Sequence, residues 1–482
     1  MIKLKLKEVL DNCKFRDILN YTESTIEQIF TDSRKLNNGS RGLFICIKGQ
    51  KFDGHDFIEE VYNKGTKFFV VQDLSKIPPK ISRSTTFILV DNTIEFLGEI
   101  AKLVLSKRRS ISGDFNVIAV AGSAGKTTTK NLIKNIFEFA GYTVIASEKS
   151  FNNEIGVPLT TLRITEDTQV LVLEMGMRGF GQIEYLCSIS DPDYGVITSI
   201  GPEHLEFVKN IKGVIKAETE LTNYLYKHNR YFILPSKIKD TYTNYHNYDY
   251  LPNRQYMIRN FSIDPIKKET LFAISYDRRI YNLKVEGIVS LPILYNFLVS
   301  LKLFDKFISN TNYRFQKNQV ILEVIRNTSR IVLNSIENNR FYFDTRFNII
   351  ADYYNSNYLS LLENLKTVEK MFNYYSRILL FIGDMLELGP KTKFYHQLVL
   401  KRLNSYPNNV EIYLIGENFY QFKKEYSRFF FARDVDNILN HSFIDCLDLY
   451  KGEKKLIFIK GSRALKLERI HNLIIESLNS LS

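Results

Sequence analysis

Along most of this chain, short apolar runs of a strand's length take turns with longer stretches in which apolar residues recur every three or four positions. The alternation is most regular between 111 and 234, where it predicts strands at 117–121, 143–146, 169–174, 195–200 and 231–234 and helices at 127–140, 181–190 and 213–226. Near-continuous apolar strands separated by amphipathic helices predict a parallel sheet covered on both faces. A second alternation predicts strands at 347–351, 378–382, 411–415 and 456–459 and helices at 358–372, 393–403 and 465–481. Ahead of both, runs such as Gly42-Leu-Phe-Ile-Cys-Ile47 and Lys67-Phe-Phe-Val-Val71 predict a small α/β unit. Between 235 and 286 the composition shifts to Tyr, Asn, Lys and Asp. Weakly patterned segments there, such as Leu271-Phe-Ala-Ile-Ser-Tyr276, predict an antiparallel excursion, followed by a helix over 289–303.

With 482 residues the chain is too long for one core. The pattern divides it into α/β domains at 1–110, 111–320 and 321–482, with the last break near 318–329. Lys and Arg outnumber Asp and Glu by 65 to 53, an excess that suits an anionic partner, small or large. The basic residues are scattered, with one compact cluster at Lys107-Arg-Arg109, so charge does not select nucleic acid. Cys13, Cys46, Cys187 and Cys446 show neither pairing nor metal-ligand spacing and read as reduced thiols. The most apolar window, 290–304, is interrupted by Pro292, Asn296 and Lys302 and is shorter than the ~20 residues of a spanning helix. Residues 1–7 alternate like a strand rather than a leader. A cytoplasmic enzyme without membrane insertion is expected, acting as a monomer.

The chemistry starts at Val117-Ile-Ala-Val-Ala-Gly-Ser-Ala-Gly-Lys-Thr-Thr-Thr-Lys130, a buried strand running through a glycine-bearing turn into a helix. Such a turn cradles phosphates. Gly122 and Gly125 let backbone approach them, Lys126 adds a point charge, Thr127 offers a hydroxyl for Mg2+, and Ser123, Ala124 and Thr128 complete the expected nucleotide-binding turn. The standard loop has a glycine five residues before Gly125, where this chain has Val120. Glu174 ends the next long apolar strand, placing a carboxylate at the sheet edge where open α/β sheets bind ligands. The strand after that ends in Gly201-Pro-Glu-His-Leu-Glu206 and delivers His204 to the same edge. Alone, His204 would read as a loop histidine; two successive strands ending in metal-competent residues favour a site.

Gly122-Ser-Ala-Gly-Lys-Thr-Thr128, Ser150-Phe-Asn-Asn-Glu-Ile-Gly-Val-Pro158, Glu174-Met-Gly176 and the His204 segment together resemble the Mur ligase family, ATP-dependent amide-bond-forming enzymes of peptidoglycan synthesis. Asp32-Ser-Arg34, Asp53-Gly-His-Asp-Phe57, Asp352-Tyr-Tyr-Asn-Ser-Asn357, Gly383-Asp-Met-Leu-Glu-Leu-Gly389 and Lys460-Gly-Ser-Arg463 extend the likeness over nearly the whole chain. The fold it implies is a central parallel-sheet P-loop ATPase domain between a small N-terminal α/β domain for a UDP-sugar and a Rossmann-like C-terminal domain. The activity it implies is ligation of D-alanyl-D-alanine to UDP-N-acetylmuramoyl-tripeptide, through an acyl phosphate made from ATP. A relative adding another amino acid to a muramoyl peptide or to folate, and a degenerate ATP-binding protein, are the competing readings.

The resemblance carries roles over residue by residue. Lys126 and His204 are the expected catalytic residues, and Thr127, Glu174 and His204 the expected magnesium ligands. Asn296, Arg330 and Asp352 are expected at the nucleotide, and Ser33, Arg34, Asn152, Asn153, Asn355 and Asn357 at the other substrates. Arg330 reads equally as a solvated linker charge, and Asn355 and Asn357 equally as turn and cap residues. Where the family carries a carbamate-modified lysine, ungapped reading puts Glu218, either a carboxylate for a second magnesium or an ordinary helix glutamate. Ala124 stands where most members have asparagine, Pro292 and Ile293 where the adenine-contacting helix has histidine and asparagine, Ala351 for a common acidic residue, and Tyr358 for a proline.

Overall fold

The computed structural model describes residues 1–482 except 36–40, 82, 84, 150, 243–245, 311–316, 337–340, 344–346, 354–355, 440–453 and 480–482. Its central sheet has the order Tyr248–Leu251, Tyr231–Pro235, Tyr194–Ile197, Asn116–Ala121, Val170–Glu174, Val144–Ala146, and every pairing is parallel. The central strands are buried except at Asn116, as their long apolar runs require. From Asn116–Ala121 the chain first builds the strands on one side and then crosses to Tyr194–Ile197 on the other. That reversal opens a crevice at the carboxyl ends of Asn116–Ala121, Val170–Glu174 and Tyr194–Ile197, where ligands bind in such sheets.

The antiparallel excursion is present as a three-stranded sheet, Met257–Asp264, Glu269–Tyr276 and Arg279–Val285. Helix Leu291–Ser309 follows and packs on the phosphate-loop helix Lys126–Phe139, with Phe137 edge-on to Phe304 and Phe307 at centroid distances of 4.9 and 4.8 Å. Helices Lys317–Arg326 and Thr328–Ser335 share this core through Ile321, Val324, Ile331 and Val332. The boundary expected at 320/321 therefore falls inside a helix of the central core, and the last sheet begins only at Phe341. The single helix expected over 213–226 is two, Ile211–Glu218 and Glu220–Lys227, parted at Thr219.

In the N-terminal domain the sheet order is Asp17–Leu19, Thr86–Leu89, Phe68–Val71, Gly42–Ile45, Gln28–Phe30, parallel apart from the first pair. Its helix Thr93–Ile111 shares one core with Val157 and Ile183 of the central domain. The basic cluster sits at the end of this helix and is spent on ion pairs: Lys107 with Glu8, buried Arg108 with Asp114, Arg109 with Asp193. The C-terminal sheet runs Phe341–Phe343, Phe347–Asp352, Lys455–Lys460, Arg377–Gly383, Val410–Ile415, Phe430–Ala432, parallel apart from its first pair. Among the described residues no helix is long and apolar enough to cross a membrane.

Candidate active site

The three domains border one cleft of about 1310 Å³, more than a single small ligand needs. Its floor is the phosphate loop. Gly122 and Gly125 hold φ of +123° and +85°, and a side chain at Gly122 would run into Thr198 and Ser199. Helix Lys126–Phe139 starts directly after Gly125, so its unpaired N–H groups face the cleft.

Ala124 costs the loop no rigidity. The Thr198 and Ser199 hydroxyls donate to its carbonyl at 2.6 and 2.9 Å, and its N–H donates to Ser199 Oγ at 2.9 Å. Ser123 Oγ is locked to the backbone of Gly201, accepting from its N–H at 2.9 Å. The turn that an asparagine side chain could fix is thus fixed from the end of the neighbouring strand.

Lys126 is enclosed among carboxylates. Its Nζ donates to the Gly122 carbonyl at 2.5 Å and lies 4.0 Å from Glu203 Oε2. Burial opposes its charge, but Glu203, Glu218 and Glu174 outweigh that and raise its pKa. Burial likewise raises the acid ranges of Glu203 and Glu218, with Lys126 pulling both down. Each keeps one buried oxygen, Oε1, without a hydrogen-bond partner.

Glu218 is fully buried and does not line the cleft. Its Oε2 accepts the Gly122 N–H at 2.6 Å, so the structure places it beneath the loop rather than on the metal-facing wall. Glu218 is the last residue of helix Ile211–Glu218.

Thr127, Glu174 and His204 all line the cleft. Thr127 Oγ1 donates to Glu174 Oε2 and Asn152 Nδ2 to Glu174 Oε1, both at 2.9 Å, so this carboxylate is already aimed. His204 Nδ1 stands 2.6 Å from Glu387 Oε2, and its Nε2 is 4.0 Å from Glu203 Oε2. These donors fit magnesium: hard oxygens predominate, and Glu203 Oε1 is a buried acceptor with nothing to accept. Among the described residues no three acidic, His or Cys side chains form a ready-made cage. Magnesium bound by one or two carboxylates and completed by substrate phosphates needs none.

At the nucleotide end Asn296 lies against Gly125, with Nδ2 2.6 Å from where a Cβ there would sit. Beside it Leu251, Pro252, Pro292, Ile293, Tyr295 and Val299 give the cleft an apolar wall, so the departures at Pro292 and Ile293 leave a surface suited to a flat base. Asp352 reaches the cleft from the C-terminal domain, its Oδ2 accepting from Lys460 Nζ at 2.7 Å and Asn364 Nδ2 at 3.1 Å. Asn357 both caps helix Tyr358–Glu369, accepting the Ser360 N–H, and donates to the Ser123 carbonyl at 2.8 Å. Asn153 lines the cleft with its Oδ1 committed to the Gly156 N–H.

Other expected residues lie elsewhere. Ser33 and Arg34 are off the cleft wall: Ser33 is buried with its carbonyl on Lys64, and Arg34 is exposed and paired to Asp32. Their neighbour Lys35 does lie over the Phe151 ring, 5.7 Å from its centroid. Arg330 is exposed on Thr328–Ser335, whose apolar face, Ile331 and Val332, is turned to the core, and it does not reach the cleft. Asn355 lies outside the described residues. Glu203, Glu387 and Arg178 are cleft residues with no expected role, although Glu203 adjoins His204 and Glu387 falls in a quoted motif.

Two family models match the chain, the Mur ligase middle domain over residues 120–299 and the Mur ligase family catalytic domain over 25–104. The chain is 30% identical over 489 residues to the UDP-N-acetylmuramoyl-tripeptide--D-alanyl-D-alanine ligase of Buchnera aphidicola subsp. Acyrthosiphon pisum, covering 99% of each. Its fold is similar to a crystal structure of MurF from Acinetobacter baumannii, with a TM-score of 0.81, 19% identity, and 98% and 99% of the two chains covered. It is also similar to the MurF ligase of Thermotoga maritima in complex with ADP, with a TM-score of 0.75, 21% identity, and 94% and 98% covered.

Proposed function

This chain belongs to the Mur ligase family, and we propose that it joins D-alanyl-D-alanine to UDP-N-acetylmuramoyl-tripeptide with ATP as the energy source. The observation that carries the proposal is the cleft itself, where the phosphate loop, Glu174 with its Asn152 support, His204 and C-terminal Asn357 and Asp352 converge. Retention of Lys126, Thr127, Glu174 and His204 in one place speaks against a degenerate nucleotide binder.

ATP lies with its phosphates on the 122–127 turn and its base on the apolar wall beside Asn296. Lys126 and the helix N–H groups stabilise the charge that spreads over the transferring phosphoryl group. Thr127, Glu174 and His204 would hold magnesium, which would supply neutralisation of phosphate charge. The tripeptide's terminal carboxylate oxygen takes the γ-phosphoryl group and ADP leaves. The free amine of D-alanyl-D-alanine then attacks the activated carbonyl carbon, loses a proton, and displaces phosphate. C-terminal residues over the loop keep water from the acyl phosphate, which would otherwise hydrolyse it. Both nucleotide substrates put this work in the cytoplasm, and one chain supplies every wall of the cleft, so a monomer suffices.

Phosphate release from ATP, measured with UDP-N-acetylmuramoyl-tripeptide in the presence and absence of D-alanyl-D-alanine, tests the proposal. Turnover that needs both supports it. Turnover with a single amino acid in place of the dipeptide would make the chain a different ligase of the family, and nucleotide binding without turnover a degenerate one.

A further inference from the structure

Resting on the ligase reading above, we infer that Glu387 is a positioning residue that ties seating of the C-terminal domain to the orientation of His204. His204 opens the short helix Leu205–Val208 in the central domain, while Glu387 follows the C-terminal strand Arg377–Gly383. Their side chains meet across the interface, Glu387 Oε2 standing 2.6 Å from His204 Nδ1.

The backbones on both sides are unusual. His204 has φ +48° and Glu387 φ +63°, the left-handed region that side-chain-bearing residues seldom occupy. Such conformations persist where surrounding structure over-determines them, and they cluster at sites of function. The surroundings here leave little slack. A Cβ on Gly389 would come within 2.9 Å of Glu206 Cα, and one on Gly201 within 2.9 Å of Leu359 Cβ. Asn357 spans the same interface to Ser123. Two left-handed residues are thus clamped face to face between two close domain contacts.

The contact has a chemical consequence. The 2.6 Å approach is a charge contact rather than an aligned hydrogen bond, and a carboxylate that close to Nδ1 favours the imidazole tautomer with its proton on that nitrogen, which frees the Nε2 lone pair. Nε2 is the nitrogen on the Glu203 side, toward Lys126 and the phosphate loop. Among the described residues the Nδ1 contact comes from the C-terminal domain, so it is made when that domain is seated. Domain seating therefore completes a cation ligand.

Manganese is the probe, bound to the full chain with a non-hydrolysable ATP analogue and followed by electron paramagnetic resonance. Glu387→Ala should weaken Mn2+ binding about 10- to 100-fold, the usual cost of losing a carboxylate behind a metal-binding histidine. Glu387→Gln keeps an oxygen that can accept from Nδ1 and should recover part of the loss. The Glu387 side chain is 43% exposed, so truncation opens no buried hole and the melting temperature should match the parent. An Ala variant that binds Mn2+ as tightly as the parent overturns the inference, as does a Gln variant no better than Ala. The readout needs no turnover, so a parent that fails in the phosphate-release assay refutes the ligase reading separately.

Discussion

The backbone N–H of Gly122 donates to Glu218 Oε2 at 2.6 Å, so a fully buried carboxylate holds the first turn of the phosphate loop from below. Glu218 also adds to the negative surroundings that keep Lys126 charged. Glu218→Ala should orphan the Gly122 N–H and cost about 1–3 kcal/mol of stability, with a large rise in KM for ATP. Glu218→Gln keeps an acceptor oxygen and should lose much less stability. Denaturant unfolding of both variants, with nucleotide titration, checks this ordering.

Lys126→Ala should lower kcat by roughly two to three orders of magnitude, since the residue stabilises charge that develops in phosphoryl transfer. It should also destabilise the fold, because Glu203 and Glu218 lose the cation that offsets their burial. Adding Glu218→Gln to Lys126→Ala should restore part of the stability and none of the rate. Melting curves and single-turnover kinetics on the two variants separate these effects.

Asn357 does two jobs that one substitution can divide. Its Oδ1 caps a helix and its Nδ2 reaches the Ser123 carbonyl in the other domain. Asn357→Asp keeps the cap but buries a carboxylate oxygen against that carbonyl, which should loosen the contact between the domains and lower kcat. Asn357→Ala should lose both, with a cap cost of about 1 kcal/mol. Equal activity of the Asp variant and the parent would remove Asn357 from domain seating.

Burial pushes the Cys13 thiol up to about 12 and raises Cys46 and Cys187 as well. The thiolate is the reactive form, so at pH 8 only on the order of one Cys13 in ten thousand carries it. Alkylation of the native protein at pH 8 should leave Cys13, Cys46 and Cys187 unlabelled, and denaturant should expose all three. Peptide mapping by mass spectrometry reads the result.

Local chemistry was legible and relations between distant segments were not. Gly122, Lys126, Glu174 and His204 declare themselves because each ends a strand or opens a helix, and the sheet topology alone brings strand ends together. Glu218 is flagged by ungapped reading against the family's modified lysine, which does not say which way its side chain faces. That its carboxylate meets the Gly122 N–H depends on how the helix packs beneath the loop, a relation between segments far apart in the chain. The support of Ala124 by Thr198 and Ser199, and the meeting of His204 with Glu387, join residues far apart in the chain, and no local periodicity encodes them. Arg330 is expected at the nucleotide only through the resemblance, and the helix that carries it has its apolar face on the central core.

The central claim is that a carboxylate of the tripeptide becomes an acyl phosphate before the amide bond forms. It is tested most directly by labelling the terminal carboxylate of UDP-N-acetylmuramoyl-tripeptide with oxygen-18 and supplying ATP and D-alanyl-D-alanine. Mass spectrometry of the released phosphate should find one labelled oxygen per amide bond formed. Amide formation with unlabelled phosphate would contradict the account.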